Sequence, residues 1–148
     1  MNTTEMLNTL ARQLKIDGFG MSEDGKKQLV FDGEMVVVFD DQARRDGVWI
    51  FTDITTIPEN NREAVFSYML KLNVLGAEQN GPVLAIEGGK IVLQQFLSVD
   101  AINSQTIVAS LERFLNRAES SKKGLLELQV LKRATDVAVG PWSGFINP

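Results

Sequence analysis

Carboxylates are the only side chains here numerous enough to carry acid–base or metal chemistry. Asp40, Asp41, Asp46 and Asp53 fall in and around one short loop, and grouped oxygens could hold a hard cation such as magnesium. Arg44 and Arg45 sit between the acids as neutralisers, and loops of mixed charge are ordinarily solvated surface. No calcium-loop pattern with its terminal glutamate is present. Glu23 and Asp24, beside Gly25, form a polar turn of the same kind. The chain has no cysteine and no histidine. That excludes disulfides, thiolate or imidazole zinc sites, thiol nucleophiles and a Ser-His-Asp triad, along with the commonest general base near neutral pH. Gly18-x-Gly20 lacks a third glycine and a preceding strand, so it reads as a helix stop and turn rather than a phosphate loop. We expect a protein that is not an enzyme and has no cofactor or metal. A small carboxylate-dependent enzyme is the least favoured alternative.

Apolar surface is the stronger signal. Leu29, Phe31, Val36, Val38, Trp49 and Phe51 all lie in strand-like runs. One reading makes them core. The other leaves part of them open as a patch for a protein partner, as contiguous exposed apolar surface usually marks. Buried and exposed valines look the same in sequence. The stretch Pro58 to Gly76 poses a related problem. Val65, Met69 and Leu72 form one helical stripe, Phe66 and Leu70 form a second, and Val74 and Leu75 widen both. A helix apolar over most of its circumference is buried on more than one side. One side needs a sheet, and the other suits a second copy of the chain.

The elements that position these residues follow from periodicity. Asn2 to Lys15 reads as a helix with Asn2 as cap, Glu5 three residues on, and Met6, Leu7, Leu10, Ala11 and Leu14 on one face. Three strands follow: Gln28 to Asp32, Glu34 to Asp40 and Val48 to Ile54. Asp32-Gly33 marks a hairpin, because the tight primed turn needs positive φ. Trp49 and Phe51 point to one side of the third strand, with Val48, Ile50 and Ile54 on the other. The second helix is expected to start at Pro58 and stop at Gly76. Val83 to Glu87 and Lys90 to Leu97 are two further strands around Gly88-Gly89. The last helix carries Ile107, Val108, Leu111, Phe114, Leu115 and Ala118 on one face and is expected to end over Ser120 to Gly124. The expected fold is α+β: a largely antiparallel five-stranded sheet with three helices in the order α-β-β-β-α-β-β-α. Residues 1–121 form that domain. Residues 122–148 form a C-terminal extension, partly disordered or an extra short element, with Trp142, Phe145 and Ile146 near its end.

At 148 residues the chain fits one domain, and its net charge of −4 with no basic run argues against nucleic acid and anionic membrane as partners. The N-terminus has no apolar signal core. No run approaches the ~18 apolar residues of a membrane span. A cytoplasmic protein is expected.

Several stretches together carry a family resemblance. They are Ile57-Pro58-Glu59-Asn60-Asn61-Arg62-Glu63-Ala64, Leu70-Lys71-Leu72-Asn73-Val74-Leu75-Gly76, Gly81-Pro82-Val83-Leu84-Ala85-Ile86, Ile91-Val92-Leu93-Gln94-Gln95, Leu97-Ser98-Val99-Asp100 and Leu111-Glu112-Arg113-Phe114-Leu115. Their succession, over roughly Asn2 to Glu119, resembles the small acidic class I chaperones of bacterial type III secretion, the Tir-chaperone family. The resemblance implies a cytoplasmic bacterial homodimer. It implies an interface built by the second helix and the strand after it, carried here onto Val65, Met69, Leu72, Val74, Leu84 and Ile86. It also implies binding of the N-terminal segment of a secreted effector, largely in extended form, for presentation to the secretion apparatus. Strand addition would supply main-chain hydrogen bonds for affinity and side-chain pockets for selectivity. Leu29, Phe31, Val36, Val38, Trp49 and Phe51 are the candidates for those pockets. A dimeric module of the same fold that sequesters a regulator is the alternative.

Overall fold

The computed structural model describes residues 2–42, 46–78 and 80–138. Arg44, Arg45 and the aromatic end of the extension, Trp142 and Phe145 with Ile146, lie outside the described residues. In chain order the elements are helix α1 (Thr3–Leu14), strands β1 (Gly20–Met21), β2 (Lys27–Phe31), β3 (Met35–Asp40) and β4 (Gly47–Thr56), helix α2 (Arg62–Glu78), strands β5 (Val83–Glu87) and β6 (Lys90–Ser98), and helix α3 (Ile107–Ala138). The strands form one sheet in the order β1-β2-β3-β4-β6-β5, and every neighbouring pair is antiparallel. This is the expected α+β arrangement with six strands instead of five. The additional strand, β1, has only two residues, too few for alternation to show.

Local chemistry explains where most elements begin and turn. The Asn2 side chain accepts from the Glu5 N–H at 2.8 Å, and the Glu5 carboxylate accepts from the Asn2 N–H at 3.1 Å. This reciprocal box satisfies two donors that a helix start leaves open. Left-handed Lys15 (φ 57°) caps the other end, ahead of the glycines expected to do so. Asp32 and Gly33 take φ of 53° and 76°, and Gly88 and Gly89 take 56° and 78°. Both turns therefore have the positive φ that a tight hairpin requires.

Two glycines expected to stop helices lie inside them. α2 begins at Arg62, beyond Pro58, and runs through Gly76 to Glu78. A Cβ on buried Gly76 would lie 2.1 Å from the Pro82 carbonyl oxygen, so the glycine permits close approach of the returning chain. Asn80 takes the left-handed conformation at φ 51°. The Gly81 N–H then closes back on the Gly76 carbonyl at 2.7 Å, the 6→1 bond of a helix end. Likewise α3 does not end over Ser120 to Gly124 but continues to Ala138. Gly124 leaves room for the Tyr68 ring of α2, whose Cζ would lie 2.8 Å from a Cβ there. Leu125 of α3 is fully buried in the core, so packing carries the helix past its glycine.

The core lies on one face of the sheet. Val37 and Phe39, Val48, Ile50 and Ile54, and Ile91, Leu93 and Leu97 share one buried cluster with Met6 and Leu10 of α1, Val65 and Met69 of α2, and Ile107, Leu111 and Phe114 of α3. Register joins these strand residues across the sheet: Phe39 opposite Ile50, and Val48 opposite Leu97. All three helices thus serve the same face. In α2 the stripe expected at the dimer interface, Val65, Met69 and Leu72, faces the core, and Phe66 of the other stripe packs against the core as well. Val65 and Met69 are buried and Leu72 packs against the cluster, while Leu70 (69% exposed) and Val74 (57%) face out. Asn73, one turn beyond Met69, fits the same rotation. Its amide donates to the Leu84 carbonyl at 2.9 Å and accepts from the Leu84 N–H at 2.6 Å. A side chain thereby occupies the outer edge of β5.

Gly76→Ala tests the close approach. Alanine gains about 1 kcal/mol of helix propensity over glycine. Displacing backbone in a packed site costs roughly 1–3 kcal/mol, and here the obstacle is a carbonyl rather than a mobile side-chain tip. With the cost at the upper end of that range, we expect a net loss of up to about 2 kcal/mol, read as a lower urea midpoint with an unchanged m-value.

Candidate functional site

The second face of the sheet is also apolar. Val30 lies opposite Val36, Val38 opposite Phe51, and Trp49 opposite Phe96. None of these residues belongs to the core cluster. Trp49 stacks on Phe51 with centroids 6.2 Å apart and leans on Phe96 at 5.2 Å. All three rings are half-buried, and Val30 and Val36 are exposed at 54% and 41%. Cross-strand aromatic pairs stabilise a sheet by about 0.2–1 kcal/mol each. They also leave ring faces and valine methyls on four strands of this face, with Gln28 and Gln94 among them.

Four of the six residues expected to form binding pockets, Val36, Val38, Trp49 and Phe51, share this face. Leu29 and Phe31 do not. They lie opposite Val37 and Met35 and pack against the core cluster, because β2 places successive side chains on opposite faces. Val30 and Phe96 take their places. Val30 sits between two residues that both looked like candidates, so period-2 alternation was the signal for it. Phe96 needed the β4–β6 register.

The expected interface residues divide in a similar way. Val65, Met69 and Leu84 are buried by the chain itself, and Leu72 packs against the same core. Val74 and Ile86 remain exposed at 57% and 50%. The outward side of α2 carries Leu70 and Val74, and Phe66, which packs against the core at its inner edge, lines the same shallow groove.

The acidic residues do not converge. Asp53 is displaced from Asp40 by four positions of β4, since Asp40 lies opposite Trp49, which is about 13 Å of strand. Its carboxylate pairs with Lys90 at 3.1 Å. Asp40 and Asp41 meet Lys26 and Lys27 at 3.5 and 2.7 Å. Among the described residues no group of three acidic side chains is placed to hold a metal ion. Burial pulls the Lys26 ammonium down, but Asp40 and then Asp24 outweigh it and hold it above its ordinary range. The Ser22 hydroxyl, donating to Asp24 at 2.5 Å, leads the effects that hold that carboxyl below its usual range. These pairs tie the β1–β2 turn to the end of β3. The Asp24 contribution is present above the ordinary carboxylate range and is lost as pH falls through the lowered value.

No helix among the described residues is long and apolar enough to cross a membrane. No curated protein sequence matches the chain. Several solved structures share the fold. A chain of the ExsC–ExsE complex is 19% identical, with 82% of this chain and 91% of that one covered and a TM-score of 0.64. A chain of the HopA1–SchA chaperone–effector complex is 15% identical, with 81% and 92% covered and a TM-score of 0.63. A chain of the heterodimeric ExoU–SpcU complex from the type III secretion system of Pseudomonas aeruginosa is 18% identical, with 82% and 95% covered and a TM-score of 0.60. Residues 5–122 match the Tir chaperone protein (CesT) family, and the chain, with its antiparallel sheet, its three helices and its open apolar face, belongs to that family.

Proposed function

We propose that this chain is a cytoplasmic, non-enzymatic secretion chaperone. It binds the N-terminal chaperone-binding segment of a type III effector and keeps it soluble and competent for export. The observation that carries this reading is the uncovered face built by Val30, Val36, Val38, Trp49, Phe51 and Phe96 in a member of a chaperone family. Solved relatives held in complex with partner proteins support it. A disordered client loses conformational entropy when it binds, so a long wrapped surface is needed to offset that loss. A face spanning four strands supplies it without any chemical step.

A homodimer fits the same reading. Leu70 and Val74 lie on the side of α2 turned away from its own sheet, with half-buried Phe66 beside them, and Val74 and Ile86 remain from the expected interface. Pairing two copies through this surface would remove the most exposed leucine among the described residues from water and double the client surface. Light scattering at micromolar concentration is expected to give twice the 16.4 kDa chain mass. Leu70→Asp is expected to return the single-chain mass. A wild-type protein that stays at one chain mass would rule the dimer out.

The client is identified by what copurifies with the tagged protein from its native cell. An exported effector is the expected result, whereas a transcription regulator would instead make the chain a sequestering module. Burying an aromatic ring is worth about 2 kcal/mol, and about 1.4 kcal/mol is a tenfold change in Kd. Trp49→Asp should therefore weaken client binding by on the order of thirtyfold while the far-UV spectrum stays as in the wild type. Unchanged affinity would remove this face from the site.

A further inference from the structure

β3 and β4 part company before either ends. Their pairing runs from Asp40 opposite Trp49 to Val37 opposite Thr52. Beyond that point the Thr52 hydroxyl donates to the Val36 carbonyl at 2.8 Å, so a side chain closes the ladder. β4 continues to Thr56 paired with β6 alone, with a register shift between Asp53 and Thr55. The gap is a slot of about 690 Å³, walled on its far side by α3. That wall includes Lys123 and Leu126, which lie past the family match at residue 122. It is a feature of this chain's long helix.

The slot has an apolar floor and lips of opposite charge. Val36 and Leu126, exposed at 41% and 45%, reach it from either side with Ile54 beneath. Asp32 and Glu34 stand at the turn end, and on α3 Lys122 and Lys123 outnumber the single Glu119 one turn before them. Among the described residues none of Asp32, Glu34, Lys122 and Lys123 has an ion-pair partner, whereas Asp53 is already matched by Lys90. The four residues of β4 beyond Thr52 present about 13 Å of strand edge with no neighbour in the sheet on that side.

We propose that this slot holds one extended stretch of the client, with a large apolar side chain against Val36, Ile54 and Leu126, a basic residue toward Asp32 and Glu34, and an acidic residue toward Lys122 and Lys123. The inference rests on the chaperone reading above and adds a sequence preference to it. A free strand edge takes an extended backbone, the floor takes an apolar side chain, and the opposed lips fix the charges that flank it. The chain's own residues 139–148 fit poorly, since they include no charged side chain and two prolines without an N–H.

The test uses the full-length chain and two fluorescein-labelled heptapeptides, followed by anisotropy. The first has Lys, Phe and Asp at positions two, four and six, and the second has Lys, Phe and Lys. The wild type is expected to bind the first about fivefold more tightly, the scale of an exposed ion pair. The Lys122→Glu/Lys123→Glu variant should reverse that order, and Leu126→Asp should weaken both peptides about tenfold, as loss of a half-buried leucine contact would. Equal binding of both peptides by wild type and variant would overturn the proposal. So would undiminished binding when Phe is replaced by Ser. If Trp142→Ser/Phe145→Ser in the full chain tightens the first peptide about tenfold, the slot belongs to the chain's own end, and the proposal also fails. Failure of the chaperone reading shows separately, as no exported protein among those that copurify. Failure of the slot alone leaves that capture intact in the Lys122→Glu/Lys123→Glu variant.

Discussion

The sheet carries apolar side chains on both faces, and its three helices cover only one. This constraint governs the rest of the molecule. The helices bury Met6, Leu10, Val65, Met69, Leu111 and Phe114 against β3, β4 and β6, and that burial holds the domain together. The opposite face keeps its aromatic ladder without a helix, and α2 keeps one apolar stripe turned outward. Both surfaces are consequences of the same shortage of cover. Removing such apolar surface from water is favourable, so each of the two surfaces is suited to a partner.

The division of labour between surfaces follows from shape. The open sheet face is broad, and its rings are already ordered by their contacts with one another. It suits a long, adaptable client that arrives unfolded. The outward surface of α2 is narrow, and it suits an identical helix related by a twofold axis. The carboxylates play neither part. Lys26, Lys27 and Lys90 match Asp40, Asp41 and Asp53, which makes them strand-end fasteners.

Much of this was legible in the residues. Asn2 with Glu5, Asp32-Gly33 and Gly88-Gly89 each specify their local geometry, because only one backbone arrangement satisfies them. What was not legible shares one cause: a local pattern with two possible tertiary uses. Gly76 and Gly124 read as helix stops because glycine often ends helices, yet each serves close packing with a distant segment, Pro82 or Tyr68. The two stripes of α2 have a fixed angular separation, but tertiary contacts decide which of them faces in: the burial of Val65 and Met69 and the two bonds between Asn73 and Leu84. Leu29 and Phe31 looked equivalent to Val36 and Val38 because polar residues marked neither face. Only the register of β2 against β3 separates them.

The Asn73 side chain has an effect beyond orienting its helix. By bonding both the N–H and the C=O of Leu84, it occupies the place that a neighbouring strand would take at that end of the sheet. The other end, β1, is two residues long and offers little template. A protein that keeps adhesive, unfolded clients at high local concentration runs a constant risk of seeding stacked sheets. With one margin partly plugged by an amide and the other cut short, the two outer strands offer little template for another sheet.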